Sequence, residues 1–153
     1  MDQFYGGSYP IESRAGEIER LHSQSKLMAP DTLAMLDRFG SMQGWRCLDV
    51  GCGPGGITDL LSARVGRTGQ VVGLDMDATF LEHAGKNAPG NVEFRLGDAY
   101  RTGLPSGSFH LVHMRYVAGT AGRFDDLLTE AVRLGQPGGI VALQESDGST
   151  LNL

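Results

Sequence analysis

A doubly wound α/β fold is what this sequence predicts: a mainly parallel sheet of about five strands in the order 3-2-1-4-5, with N-terminal cap helices. Three observations carry it. An apolar run, Leu48-Asp49-Val50, enters a turn containing four glycines, Gly51-Cys52-Gly53-Pro54-Gly55-Gly56. Short apolar runs then alternate with segments of helical period, as crossover connections between parallel strands require. Finally, acidic residues recur where those apolar runs stop, at Asp49, Asp75 and Asp98.

The first ten residues, Met1 to Pro10, are aromatic and glycine-rich without periodicity, which reads as an arm or lid. Residues 11–28 predict a helix carrying Ile18, Leu21 and Leu27 inward. A second helix is expected from Pro30-Asp31, with Leu33, Leu36 and Phe39 on one face and Gly40 ending it. Strands follow at 45–50, 70–75, 91–96, 109–115 and 139–145, and helices at 56–65, 78–88 and 122–134. The last helix has the clearest pattern, a stripe of Phe124, Leu127, Leu128, Ala131, Val132 and Leu134 beside Asp125, Asp126 and Glu130.

The chain has 153 residues, the size of one domain, divided into an arm and cap helices at 1–40 and a core at 41–153. Its formal net charge of -5 argues against nucleic acid as a partner, because phosphate binding relies on clustered Lys and Arg. Cys47 and Cys52 lack metal-ligand spacing and read as reduced, buried side chains. No basic-then-apolar leader and no long apolar run occur, so a cytoplasmic protein without a membrane partner is expected.

Gly51, Gly53 and Gly56 satisfy GxGxxG, a pattern shared by many nucleotide folds. The turn opens a helix, whose first N–H groups lack intrahelical partners and suit an electron-rich ligand. Asp49 places a carboxylate where a ligand ammonium is welcome and a pyrophosphate is repelled, or else braces the loop. Asp75, 24 positions after Gly51, suits the two hydroxyls of a ribose, while Asp77 is available as a helix N-cap. Asp98, in Gly97-Asp98-Ala99, either accepts an amine such as adenine N6 or forms a turn.

These segments, LDVGCGPGG, VGLDMD, GDA, LPSGSFHLV and QPGGIVALQE, in this order and spacing, resemble the motifs of class I S-adenosylmethionine-dependent methyltransferases of the small-molecule type, a Rossmann-like family. The resemblance covers residues 45–146; Glu19-Arg20-Leu21 and Gln24 are similar to the family's cap helices. It implies S-adenosyl-L-methionine as cofactor and a methyl transfer to a small-molecule acceptor. The backbone of Gly51, Cys52 and Gly53 would face the methionine part, Asp75 the ribose, Met76 the adenine ring, and Asp98 with Ala99 the adenine edge. Residues after strand four, His113, Met114 and Arg115, would face the methionine carboxylate or the acceptor. His113 is the candidate general base and Arg115 the candidate anion clamp, and Tyr9 is a candidate to close over the cofactor.

Two positions depart from the family pattern, His110 where Asp is usual and Gly135-Gln136 before PGG. The family's sheet normally has seven strands, so the resemblance also implies a core that is short at its C-terminus. Strand five would then be an apolar sheet edge, suited to a homodimer or a completing partner, and activity of the chain alone is expected to be weak or absent. Two other functions stay open. One is a cofactor-binding or assembly module without catalysis. The other is an NAD-dependent oxidoreductase, which GxGxxG and Asp75 allow but Asp49 and Asp98 disfavour. Whether the acceptor atom is O, N or C is not legible in the sequence.

Overall fold

The computed structural model describes residues 11–145, with side chains from residue 15 onward. Helix α1 (Ile11–Asp37) leads into β1 (Arg46–Val50), α2 (Ile57–Val65), β2 (Gln70–Asp75), α3 (Ala78–Gly85) and β3 (Val92–Leu96). After β4 (Phe109–Arg115) a single 3-10 turn, Ala118–Thr120, precedes α4 (Phe124–Leu134) and β5 (Gly135–Gln144). All neighbouring strands are parallel, in the order β3-β2-β1-β4-β5, so the order reverses between β1 and β4 and the carboxyl ends open a crevice there.

Side-chain alternation explains why the strands are apolar almost throughout. Leu48, Val50, Val72, Leu74, Val112 and Met114 face one side and pack with Leu127, Ala131 and Leu134 of α4. Cys47, Val71 and Leu111 face the other, against Leu61 and Val65 of α2 and Leu36 of α1. Both faces are therefore covered, which removes the polar alternation of a half-exposed sheet. Leu61 is wholly buried, and trimming it to alanine would cost about 2 to 5 kcal/mol.

Several boundaries differ from the sequence expectation. Residues 11–37 form one helix, not two, with Pro30 inside it. Pro30 lacks the N–H that would continue the ladder, yet Thr32 and Leu36 just beyond it are fully buried, and their packing holds the last turns helical. Leu27, expected inward, is 77% exposed. In α4 the buried stripe narrows to Leu127, Ala131 and Leu134, because Phe124 and Val132 look outward. Strand β5 starts directly after α4 at Gly135, and the ladder skips from Phe109↔Gly135 to Leu111↔Ile140, so the Pro137-Gly138-Gly139 segment bulges out. His110, one of the two departures from the family pattern, accepts the Arg46 amide at Nδ1 (2.9 Å) and stacks on Trp45.

Candidate functional site

Register fixes the site. Asp49 of β1 stands beside Gly73 of β2 on one side and His113 of β4 on the other, all near the carboxyl ends of their strands. Gly73 is required there, since a Cβ would come within 2.7 Å of the Phe94 ring and 3.0 Å of Cys52 Sγ. Past β1 the chain turns sharply, and the Gly51 and Cys52 amides both donate to the Leu74 carbonyl, at 2.7 and 3.0 Å. Gly51 and Gly53 take φ of 69° and 56°, left-handed values that a side chain disfavours. A Cβ on Gly53 would meet no atom within 4 Å, so it would project into open space above the loop.

That space is a cavity of about 590 Å³ over the strand ends. Its floor is Asp49, Gly51, Cys52, Gly53 and Ile57; Leu74, Asp75, Met76, Phe80, Gly97 and Ala99 form one wall, and Arg115 to Val117 with Thr120 form another. Helix α1 roofs it with Glu17, Arg20, Leu21, Gln24 and Ser25. These follow helical spacing, so the polar stripe at 17, 20, 24 was a usable signal for a ligand-facing surface. Arg20, Leu21 and Gln24 fall in the segment that resembles the family's cap helices, whereas Glu17, Ser25 and Thr120 join the lining through the fold. A ring contact seats α1 on α3, with His22 Nε2 at 3.1 Å from His83 Nε2.

Asp75 is poised for diols. Its Oδ2 accepts the Gly53 amide at 2.8 Å and its Oδ1 the Asp77 amide at 2.9 Å, leaving further lone pairs on each oxygen. Burial raises its pKa above the ordinary aspartate value, an effect that the two backbone donors reduce. The N-cap of α3 is Asp77, which accepts from the Thr79 and Phe80 amides, so Asp75 is not needed for that purpose. Cys52 lines the cavity but burial pushes its thiol far up, and burial likewise raises Cys47 to about 12. Both are free and buried, the environment of a structural rather than a reactive cysteine.

Arg115 and Asp49 line the cavity together and supply opposite charges. Burial lowers the Arg115 pKa, and the Asp49 charge works against that shift. The next residue, Tyr116, is held at φ 57° without being glycine, by its amide donating to the Gln144 carbonyl at 2.8 Å. This strained corner puts Tyr116 in the cavity lining, with the Arg115 guanidinium carbon 5.8 Å from its ring centroid.

Two expected site residues sit elsewhere. His113 is wholly buried, with Nδ1 2.8 Å from Asp49 Oδ1 and Nε2 2.9 Å from Gln144 Oε1. Both nitrogens are engaged and the ring does not line the cavity, so the general-base expectation gives way to one of holding Asp49. Asp98 is exposed and absent from the cavity lining, its Oδ1 accepting the Tyr100 amide at 2.8 Å in a local turn. Ala99 does line the cavity, whereas Tyr9 lies outside the described residues. Among the described residues no helix is long and apolar enough to cross a membrane.

Residues 48–143 match the family model described as methyltransferase domain. The chain is 35% identical over 120 residues to a demethylmenaquinone methyltransferase of Lactococcus lactis, covering 76% of this chain and 48% of that protein. It is also 35% identical over 125 residues to a 2-phytyl-1,4-naphtoquinone methyltransferase of Thermosynechococcus vestitus, covering 80% of this chain and 53% of that one. The chain thus spans about half the length of these curated relatives. Among solved structures, a SAM dependent methyltransferase from Aquifex aeolicus superposes with a TM-score of 0.75 at 26% identity, over 84% of this chain and 70% of that one. With sheet order, glycine turn and sequence similarity in agreement, this chain belongs to the class I S-adenosylmethionine-dependent methyltransferase family.

Proposed function

We propose that the cavity over the strand ends binds S-adenosylmethionine and that the chain transfers its methyl group to a small molecule with a quinone-like ring. The carrying observation is the cradle at Gly53: its backbone leaves open the volume that a Cβ would fill, directly beside the Asp75 carboxylate. The residues fit the cofactor in kind. Asp75 would accept the ribose hydroxyls, Met76 and Phe80 would cover the adenine, and Asp49 with Arg115 would meet the ammonium and carboxylate of the amino-acid end. Asp98, exposed and turned into its own loop, would contribute to the adenine edge mainly by shaping the Ala99 backbone.

When bound, S-adenosylmethionine supplies a methyl carbon made electrophilic by a sulfonium whose thioether leaves with the bonding electron pair. The chain's own part is alignment and exclusion of water. Helix α1 roofs the cavity, while Tyr116 and Thr120 line the side on which this reading puts the acceptor. With His113 engaged on both nitrogens, that ring does not take the acceptor's proton. An acceptor with an electron-rich, ionisable ring, such as a reduced quinone, suits this, and the names of the similar Lactococcus lactis and Thermosynechococcus vestitus proteins support the same class.

A cytoplasmic setting, where free thiols such as Cys47 and Cys52 stay reduced, fits this reading. Among the described residues strand β5 ends the sheet, with Leu143 38% exposed, and pairing with a second copy through that edge belongs to the same proposal.

Incubation with S-adenosylmethionine labelled at the methyl and a panel of reduced naphthoquinones, phenols and amines tests the function. Label is expected on a quinol. Label on amines alone, or release of label only to water, would contradict it.

A further inference from the structure

The two charged groups at the amino-acid end of the cavity are joined through the protein interior. His113 Nδ1 lies 2.8 Å from Asp49 Oδ1, and its Nε2 is 2.9 Å from Gln144 Oε1. The same Gln144 oxygen accepts the Thr32 hydroxyl at 3.0 Å. Arg115 Nη1 in turn donates to Thr32 Oγ1 at 3.4 Å, which closes a path from Asp49 back to Arg115. Thr32 and His113 are fully buried and Asp49 is 3% exposed, so water offers little competition for these bonds.

The path also crosses from the sheet to the roof. Thr32 belongs to α1, beyond Pro30, while Glu17, Arg20 and Gln24 of the same helix line the cavity. Eight residues separate Gln24 from Thr32, about 12 Å along a helix. Gln144 is the last residue of β5, aligned with Arg115 in the ladder, and its carbonyl holds the strained Tyr116 amide. Thr32 and Gln144 therefore link α1, β4 and β5 directly, and reach Asp49 of β1 through His113.

We propose that Thr32 and Gln144 are positioning residues for the amino-acid end of the cofactor, setting the Asp49 carboxylate and the Arg115 guanidinium as one unit with α1. The inference rests on the cofactor reading above. Neither side chain needs to touch the ligand. Their effect is expected only on ligands that carry the ammonium and carboxylate.

The test compares S-adenosylhomocysteine with 5′-methylthioadenosine, which shares the adenosine and thioether but lacks the amino-acid charges. Calorimetry is run on the wild-type chain and on Thr32→Val, Gln144→Leu and Thr32→Ser. Losing the hydrogen bond to the charged Arg115 is expected to weaken S-adenosylhomocysteine about tenfold in Thr32→Val, and Gln144→Leu, which removes the neutral bonds to Thr32 and His113, should weaken it about fivefold. Methylthioadenosine binding should stay at the wild-type value, and Thr32→Ser, which keeps the hydroxyl, should restore the first ligand. Equal losses for both ligands, or no loss of S-adenosylhomocysteine, would overturn the inference. A wild-type chain that binds neither ligand would instead overturn the cofactor reading itself.

Discussion

His113 Nδ1 lies 2.8 Å from Asp49 Oδ1 across the β1–β4 ladder, and both side chains are almost wholly buried. A carboxylate so buried is costly unless paired, because its hydration is lost without replacement. The histidine is that replacement. It holds one oxygen of Asp49 while the residue as a whole still borders the cavity.

Replacing His113 by leucine should therefore strand the Asp49 charge. Breaking one half of a buried pair is expected to lower the unfolding free energy by about 3 to 5 kcal/mol. Adding Asp49→Asn to that variant should recover part of the loss, since the uncompensated charge is gone. Urea denaturation of the two single variants and the double variant checks this, and a His113→Leu cost below about 1 kcal/mol would refute the pairing account.

Much of this arrangement was legible beforehand. The strand-to-glycine transition at Val50-Gly51 and the spacing to Asp75 located the floor of the cavity, because both are local consequences of backbone conformation. What escaped reading depends on burial and long-range contact. His113 looked like a base by strand parity, but parity does not reveal that Asp49 and Gln144 occupy both of its nitrogens. Pro30 has the pattern of a helix start, and only the burial of Thr32 and Leu36 shows why the helix runs through it. Thr32 and Gln144, 112 positions apart in sequence, have no local signal at all.

Two glycine substitutions should separate binding from stability. Gly53→Ala introduces a Cβ into the open cradle at φ 56°, with a conformational cost of about 1 to 2 kcal/mol. S-adenosylhomocysteine binding should fall further than that stability change, as the methyl occupies ligand space. Gly73→Ala forces a Cβ against Phe94 and Cys52, so its main effect should be on the melting temperature. Equal ratios of binding loss to stability loss in the two variants would contradict the assignment.

Asp75 gives the site a defined acid sensitivity. Its pKa is raised mainly by burial, and only the ionised form offers acceptors on both oxygens. As pH falls through that raised value, ribose binding should be lost. A plot of log Kd for S-adenosylhomocysteine against pH should bend above the ordinary aspartate pKa of about 4, and the bend should vanish in Asp75→Asn. A bend at or below the ordinary value would contradict the burial argument.

A different carboxylate governs acid stability. The Arg133 guanidinium donates to both oxygens of Glu130, at 2.8 and 2.6 Å, and Thr102 adds two more bonds. These hold the Glu130 pKa at about 2, below its ordinary 4.5. A depressed carboxylate pKa contributes stability above the unfolded value and loses it as pH drops through the folded one. The stability gap between wild type and Glu130→Gln should thus be full above pH 4.5 and close towards pH 2. A gap independent of pH over that window would show that the contact is not ionic.

The central claim, that Asp49 and Asp75 flank a site for S-adenosylmethionine rather than for a dinucleotide, is tested most directly by calorimetric titration with S-adenosylhomocysteine and NAD, alongside Asp75→Ala. Saturable binding of S-adenosylhomocysteine at one site is expected, with no heat from NAD. The variant should lose about 1.5 to 3 kcal/mol of that affinity, the worth of hydrogen bonds to a charged group. Binding of NAD without S-adenosylhomocysteine, or an Asp75→Ala variant that binds as tightly as wild type, would contradict the account.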